Sequence, residues 1–252
     1  MSKPAKVIPI VAASAKVEDS AQFVSMYQKQ PTIYPRAVKG WFANWRWVFV
    51  WLTQLLFYGL PWLQWSGRQA VLFDLEAQRF YIFGLLLYPQ DLIFLAALLV
   101  LSALALFFFT AVAGRLWCGY TCPQTVYTEI FMWAERKIEG DRVARMRLDQ
   151  QPWRWHKIWR KGAKHSAWLS IALFTGFSFV GYFTPIRELA MDLASWNLSG
   201  WNAFWVLFYG AATYGNAGFL REQMCKYMCP YARFQSALID KDSLIITYDA
   251  KR

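Results

Sequence analysis

The sequence predicts an all-α membrane protein: four transmembrane helices arranged as two parallel-repeat hairpins, with amphipathic helices on the cytoplasmic surface. Three observations lead there. The 252 residues are 57% hydrophobic and 19% aromatic, and only 17% are charged, against about 25% for a soluble domain. The apolar residues gather in long runs. The basic residues stand in blocks beside those runs, as topology signals do. A net charge of +11 would suit a nucleic-acid binder if the basic residues lined one groove. Their spread between apolar runs excludes nucleic acid and makes the lipid bilayer the first expected partner.

Residues 1–44 hold Lys3, Lys6, Lys16, Lys29, Arg36 and Lys39, with Pro31 and Pro35 and no apolar core. They read as a cytoplasmic N-terminal tail rather than a signal peptide. A membrane domain is expected over residues 45–240. A helix needs about 20 apolar residues to cross a bilayer, and four stretches qualify: 47–63, 92–113, 166–184 and 203–220. The second carries no charge. The fourth carries Gly210, Gly215 and Gly218, and such small residues let helices approach closely. Residues 80–88 are too short to cross, are cut off by Pro89, Gln90 and Asp91, and read as an interfacial segment.

Of the 27 lysines and arginines, all but Arg68, Arg79 and Arg187 fall before the first span, between the second and third, or after the fourth. Positive residues stay cytoplasmic. The expected location is therefore an inner-type membrane, multi-pass, with both termini and the loop 114–165 inside. Trp41, Trp45, Trp62, Trp65, Trp117, Trp168, Trp201 and Trp205 flank the spans as interface anchors do. In the basic loop, Arg142, Arg145, Arg147, Arg154, Lys157, Arg160, Lys161 and Lys164 are expected to meet anionic headgroups. Glu135, Glu139 and Asp141 read as paired surface acids. The two histidines, His156 and His165, lie in that loop, so no haem is held between spans. No nucleotide-binding glycine loop or hydrolytic constellation is present.

The chemistry is concentrated in the four cysteines. Span two ends in Arg115 and then Cys118-Gly119-Tyr120-Thr121-Cys122-Pro123. Span four ends in Arg221 and then Cys225-Lys226-Tyr227-Met228-Cys229-Pro230. Two hairpins of like orientation suggest a parallel repeat about an axis along the membrane normal, which would bring both pairs to one cytoplasmic rim. Proline suits the first turn of a helix, so Cys122 and Cys229 should sit at helix N-termini, where a thiolate is stabilised. Arg115, Arg221 and Lys226 are candidate cofactor-binding residues that would add positive charge. Four thiolates could hold one iron–sulfur cluster or one zinc. One pair could hold Cu(I), or the pairs could exchange as dithiols. Cys118, Cys122, Cys225 and Cys229 are thus both the metal-ligand and the catalytic candidates. The plain alternative, cysteine as a small packing residue, does not explain two copies at one membrane face.

The run from Cys118 through Pro123-Gln124-Thr125-Val126-Tyr127, with Glu135-Arg136-Lys137-Ile138-Glu139-Gly140-Asp141-Arg142 after it, resembles the cytochrome c oxidase accessory protein family CcoG, also called FixG or RdxA. The second motif, continuing Tyr231-Ala232-Arg233-Phe234-Gln235, and the pair Tyr248-Asp249 resemble it too. The resemblance implies a polyferredoxin-like protein of the bacterial inner (cytoplasmic) membrane that reduces Cu(II) to Cu(I) during oxidase assembly, a copper reductase or electron-transfer protein. It implies 4Fe-4S clusters in the full-length family and copper as a further metal. It also implies cytochrome c oxidase subunits or copper chaperones as partners and a ferredoxin-type electron donor. By the same resemblance, residues 241–252 begin a cytoplasmic ferredoxin-like domain, and the chain corresponds to the membrane portion. Alternatives are a quinone-linked electron-transfer subunit, a non-catalytic assembly scaffold and, more weakly, a copper transporter.

Overall fold

The computed structural model describes residues 34–36, 38, 40–239 and 243. Most of the expected tail, nearly all of residues 241–252 and the Tyr248-Asp249 pair lie outside the described residues.

The chain is mostly helical. Helix α1 is Trp41–Gly59, followed by a tight turn at Leu60–Trp62. Helix α2, Leu92–Ala113, coincides with the second expected span. At about 1.5 Å per residue its 22 residues reach across a hydrocarbon core of about 30 Å. Among the described residues, Pro89–Ala113 is the one helix long and apolar enough to cross a membrane, and its apolar window is 0% buried inside the protein. Then come α3 (Leu116–Tyr120), α4 (Pro123–Glu139), α5 (Arg142–Gln150) and α6 (Trp155–Val180), which begins well before the third expected span. Helix α7 is Ile186–Ala194. Helix α8, Gly200–Thr213, widens into a π-helical segment, Tyr214–Leu220. Helix α9 (Arg221–Gln223), a second wide segment at Met224–Met228 and α10 (Pro230–Leu238) complete the chain.

Residues 64–87 correct the all-α expectation and the reading of 80–88 as a plain interfacial segment. Strands β1 (Gln64–Trp65) and β2 (Arg68–Gln69) pair across Ser66-Gly67, whose φ angles of 54° and 82° suit the left-handed two-residue turn of a hairpin. Strands β3 (Val71–Asp74), β4 (Arg79–Ile82) and β5 (Leu85–Leu87) form an antiparallel sheet, with Val71 opposite Ile82 and Phe80 opposite Leu87. The sheet is fastened to the C-terminal end of α6. The Phe73 N–H donates to Tyr182 O at 2.7 Å, the Gln69 amide donates to Gly181 O at 2.7 Å, and its carbonyl accepts from Ile186 N–H at 3.1 Å.

Helices α6 and α8 cross where two glycines meet. A Cβ added at Gly176 would collide with Val206 O and with Gly210 N. Gly218 lies under the Trp168 ring, 3.2 Å from its would-be Cβ, whereas Gly215 faces open space. The core joins Phe131 and Ala134 of α4, Trp168 and Ala172 of α6, and Ala217. Trp168 is therefore no interface anchor. It is 2% exposed, stacks on Phe131 at 5.4 Å and donates its indole N–H to Phe131 O at 3.1 Å. The other flanking tryptophans Trp41, Trp45, Trp62, Trp65, Trp117 and Trp201 are exposed.

Candidate functional site

Each cysteine motif follows a break in its helix. Gly114, four residues before Cys118, has φ 57° and ψ −111°. Arg221, four residues before Cys225, has φ 33° and ψ −105°. The repeat thus pairs Gly114 with Arg221, one residue away from the Arg115–Arg221 match that the sequence suggests. After each break the chain runs to a cysteine at a helix N-terminus. Cys122 caps α4 and Cys229 caps α10, with Pro123 and Pro230 in the first turn.

The two halves then exchange contacts. Gln124 of α4 donates to Asn216 O at 2.9 Å and to Arg221 O at 3.2 Å. Gln235 of α10 donates to Gly114 O at 3.2 Å and accepts from the Cys118 thiol at 3.8 Å. Each break frees a carbonyl, and a glutamine from the opposite half satisfies it. Tyr231 of α10 also bonds the Thr110 hydroxyl and donates to Leu106 O at 3.3 Å on α2. A buried orphan carbonyl costs about 1–3 kcal/mol, so these exchanges hold the motifs in register.

The consequence is electrostatic. All four cysteines are free, with Cys225 exposed and the others half-buried. Burial pushes the Cys118 thiol above its ordinary value. Cys122, Cys229 and Cys225 push it the same way, while the Gln235 contact opposes them. Burial likewise raises Cys225, with Cys122, Cys229 and Glu222 adding to it and Arg115 opposing. The thiols of both motifs therefore act on one another, and Arg115 acts on Cys225. A shared site is compatible with this. For Cys118 and Cys225, however, burial and neighbouring negative charge outweigh the positive charge expected to favour a thiolate.

Two of the three predicted cofactor-binding cations are committed elsewhere. Arg221 pairs with Glu135 at 3.0 Å, donates to Gly218 O at 3.0 Å and lies over the Trp168 ring at 5.5 Å. Lys226 pairs with Glu222 at 3.3 Å on the surface. Nor are Glu135 and Glu139 surface acids. They are 8% and 1% exposed, one turn apart on α4. Glu135 binds Arg145 at 2.8 Å, and Glu139 binds Lys164 at 3.0 Å and Lys161 at 3.1 Å. Arg145, Lys161 and Lys164 are thereby drawn away from headgroups into the protein. Lys157 is drawn in too, donating to Asp149 O and Gln151 O at the end of α5, where a cation complements the helix dipole. The spacing of Glu135 and Glu139 suits a solvated helix face equally well, so nothing in that spacing signals that this face meets α5 and α6. Nothing in a single sequence marks Gln124 and Gln235 as the cross-connecting pair.

A family model described as a 4Fe-4S binding domain matches residues 95–140, and one described as a 4Fe-4S dicluster domain matches residues 220–252. Each covers one motif. The nitrogen fixation protein FixG of Rhizobium meliloti is 40% identical over 229 residues, which are 89% of this chain and 44% of that protein. Protein RdxA of Cereibacter sphaeroides is 39% identical over 88% of this chain and 49% of its own length. Protein RdxB of the same organism is 39% identical over 90% and 49%. The chain belongs to the FixG/RdxA family. It spans about half the length of these FixG and RdxA relatives. No solved structure matches it.

The matched models and the FixG/RdxA relatives support an iron–sulfur electron-transfer protein, with 4Fe-4S as its cofactor class. The residue types match that class: four free cysteines, two in each matched segment. Four cysteine thiolates are what such a cluster requires. Among the described residues, no three His, Cys, Asp or Glu side chains converge to hold a single metal ion. A cluster spreads its ligands over several irons and so needs a wider spacing than one ion.

Proposed function

We propose that the chain is the membrane-embedded portion of a redox protein that reduces Cu(II) to Cu(I) for assembly of a respiratory cytochrome c oxidase in a bacterial inner membrane. Helices α1, α2, α6 and the α8 segment are its four spans, with the cysteine end cytoplasmic. Cys118, Cys122, Cys225 and Cys229 would hold a 4Fe-4S cluster, which supplies one-electron transfer when bound. Copper is substrate: each Cu²⁺ takes one electron, delivered from a ferredoxin-type donor, and leaves as Cu⁺ to an oxidase subunit or copper chaperone.

This chain's residues have definable parts in that reading. Gln124 and Gln235 fix the two motifs relative to each other. Arg115 offsets negative charge at Cys225. Cys122 and Cys229 stand at the N-termini of α4 and α10, the helix ends that favour negative charge. The two matched 4Fe-4S segments, each carrying one Cys-x-x-x-Cys-Pro motif and joined by the Gln124 and Gln235 exchanges, are the observation that supports the proposal.

The test is metal content and paramagnetic resonance of anaerobically purified protein, wild type against the variant with all four cysteines changed to serine. Wild type should carry iron and a reducible cluster signal and should reduce Cu(II) when given electrons. The serine variant should do neither. Equal iron and equal copper reduction in both proteins would defeat the cysteine-site reading.

A further inference from the structure

The cations between Arg142 and Lys164 divide into two sets. Arg145, Lys157, Lys161 and Lys164 turn inward, to Glu135, Glu139, Asp149 and the end of α5. Arg142, Arg147, Arg154 and Arg160 have no ionic partner among the described residues. Arg154 and Arg160 bracket a pair of tryptophans at the start of α6. Trp155 is 79% exposed and Trp159 is 70% exposed. They stand one turn apart, and at about 100° per residue both fall on the face opposite Lys157. The Lys157 ammonium is tied to Asp149 O and Gln151 O and lies 5.2 Å from the Trp153 ring centre. That clasp fixes the elbow between α5 and α6 and leaves the aromatic and cationic edge outward, with His156 and Ile158 exposed on it.

Helix length sets the level of this edge. The 26 residues of α6 rise about 39 Å. That exceeds a hydrocarbon core of about 30 Å and approaches the roughly 40–45 Å of core plus headgroups. On the membrane reading above, α6 leaves the hydrocarbon at its Val180 end, where the sheet is fastened to Gly181 and Tyr182. The other edge of the core falls about 20 residues earlier, at Arg160. Trp159 then lies at that edge and Trp155 about 6 Å beyond it, inside the headgroup layer. Side chains with an apolar body and a polar tip settle at such a boundary.

We infer that the first two turns of α6 bind anionic phospholipid, with Arg154 and Arg160 on headgroup phosphates and Trp155 and Trp159 between headgroups and acyl chains. A guanidinium matches phosphate with two parallel hydrogen bonds. A zwitterionic headgroup carries a phosphate too, but its own cation offsets that charge. Two uncompensated arginines at one level therefore select a lipid of net negative charge. Depth decides against an acidic protein as the occupant, because the tryptophans stand among headgroups rather than below them. The inference rests on the membrane reading and is independent of the cysteine chemistry.

The experiment titrates the full chain in dodecyl maltoside with dioleoyl phosphatidylglycerol, and separately with dioleoyl phosphatidylcholine, and follows thermal unfolding. In wild type the half-maximal stabilising concentration should be about fivefold or more lower for phosphatidylglycerol. Arg154→Gln with Arg160→Gln should make the two lipids equal, whereas Arg154→Lys with Arg160→Lys should keep a preference. Trp155→Ala with Trp159→Ala should weaken both lipids. The four-serine variant should behave as wild type does. Equal half-points in wild type would overturn the inference, as would an undiminished preference in the glutamine variant. So would loss of the phosphatidylglycerol effect on adding an equal charge of poly-glutamate peptide, which would mark a protein-docking face. In pure phosphatidylcholine vesicles, wild type and the glutamine variant should both stay inserted through an alkaline wash. Release of wild type there would sink the membrane reading and this site with it, whereas loss of the preference alone sinks only the site.

Discussion

The two halves of the molecule solve one backbone problem with different residues. Both break their helix four residues before the first cysteine, and both turn through a left-handed φ to do so. In the first half the residue is Gly114, for which that conformation carries no side-chain penalty. In the second it is Arg221, for which it is strained. The second half also needs wide π-helical segments on either side of α9, where the first half runs as ordinary helix. Arg221 stays in place because its side chain is held at three points, by Glu135, Gly218 O and the Trp168 ring. The first half is held by conformational freedom and the second by a buried ion pair, so the two should fail in different ways.

The largest effect is expected at Glu135, which serves both halves by binding Arg145 and Arg221. Glu135→Gln leaves two inward-turned guanidinium groups without a counter-charge. Breaking a buried pair on one side costs about 3–5 kcal/mol. Thermal unfolding in detergent should show a loss of that order. It should also show release of the second motif first, read as faster labelling of Cys225 and Cys229 than of Cys118 and Cys122. Uniform labelling of all four would mean that the ion pair does not distinguish the halves.

A middle-sized effect is expected at the first break. Gly114→Ala places a Cβ on a residue at φ 57° and should cost about 1–3 kcal/mol. The loss should appear as faster labelling of Cys118, because Gln235 holds both Gly114 O and the Cys118 thiol. An unchanged melting temperature would show that this break relaxes freely and that the glycine is incidental.

These contrasts also mark what a single sequence discloses. The second span, the cysteine repeat and the helix starts at Pro123 and Pro230 were legible because each rests on local chemistry: a long uncharged run, a repeated spacing, a residue without an N–H. The hairpin at Ser66-Gly67 carried a turn signal, but its strands are two residues each, too short to show an alternating pattern, and residues 80–88 read as interface because their sheet partner, β3, is not marked by any local signal. Trp168 could not be told from the interface tryptophans, since burial depends on Phe131, Ala217 and Gly218 arriving from other helices. Likewise, a basic loop reads as solvated until Glu135 and Glu139 are known to face it. The strain at Arg221 was invisible because the residue aligned with it by type, Arg115, is not its structural counterpart.

The smallest effect concerns a brace found, among the described residues, beside the first half alone. Helix α5 is clasped through Asp149, which accepts from Lys161 at 2.8 Å and from the Tyr34 hydroxyl at 2.7 Å. Burial pulls this carboxyl upward, but the hydrogen bonds from Lys161 and Tyr34 and the charge of Lys161 outweigh it and hold it below its ordinary value. A lowered folded-state value means that the contribution is fully present above the unfolded carboxylate range and is lost as pH falls through the folded value. Stability measured from about pH 5 down to about pH 3 should therefore fall more steeply in wild type than in Asp149→Asn. The site is partly exposed, so screening should keep the difference under about 1 kcal/mol. Parallel curves for the two proteins would show that Asp149 bears no stabilising charge, and that α5 is held instead by Arg145, the Lys157 cap and buried Leu148.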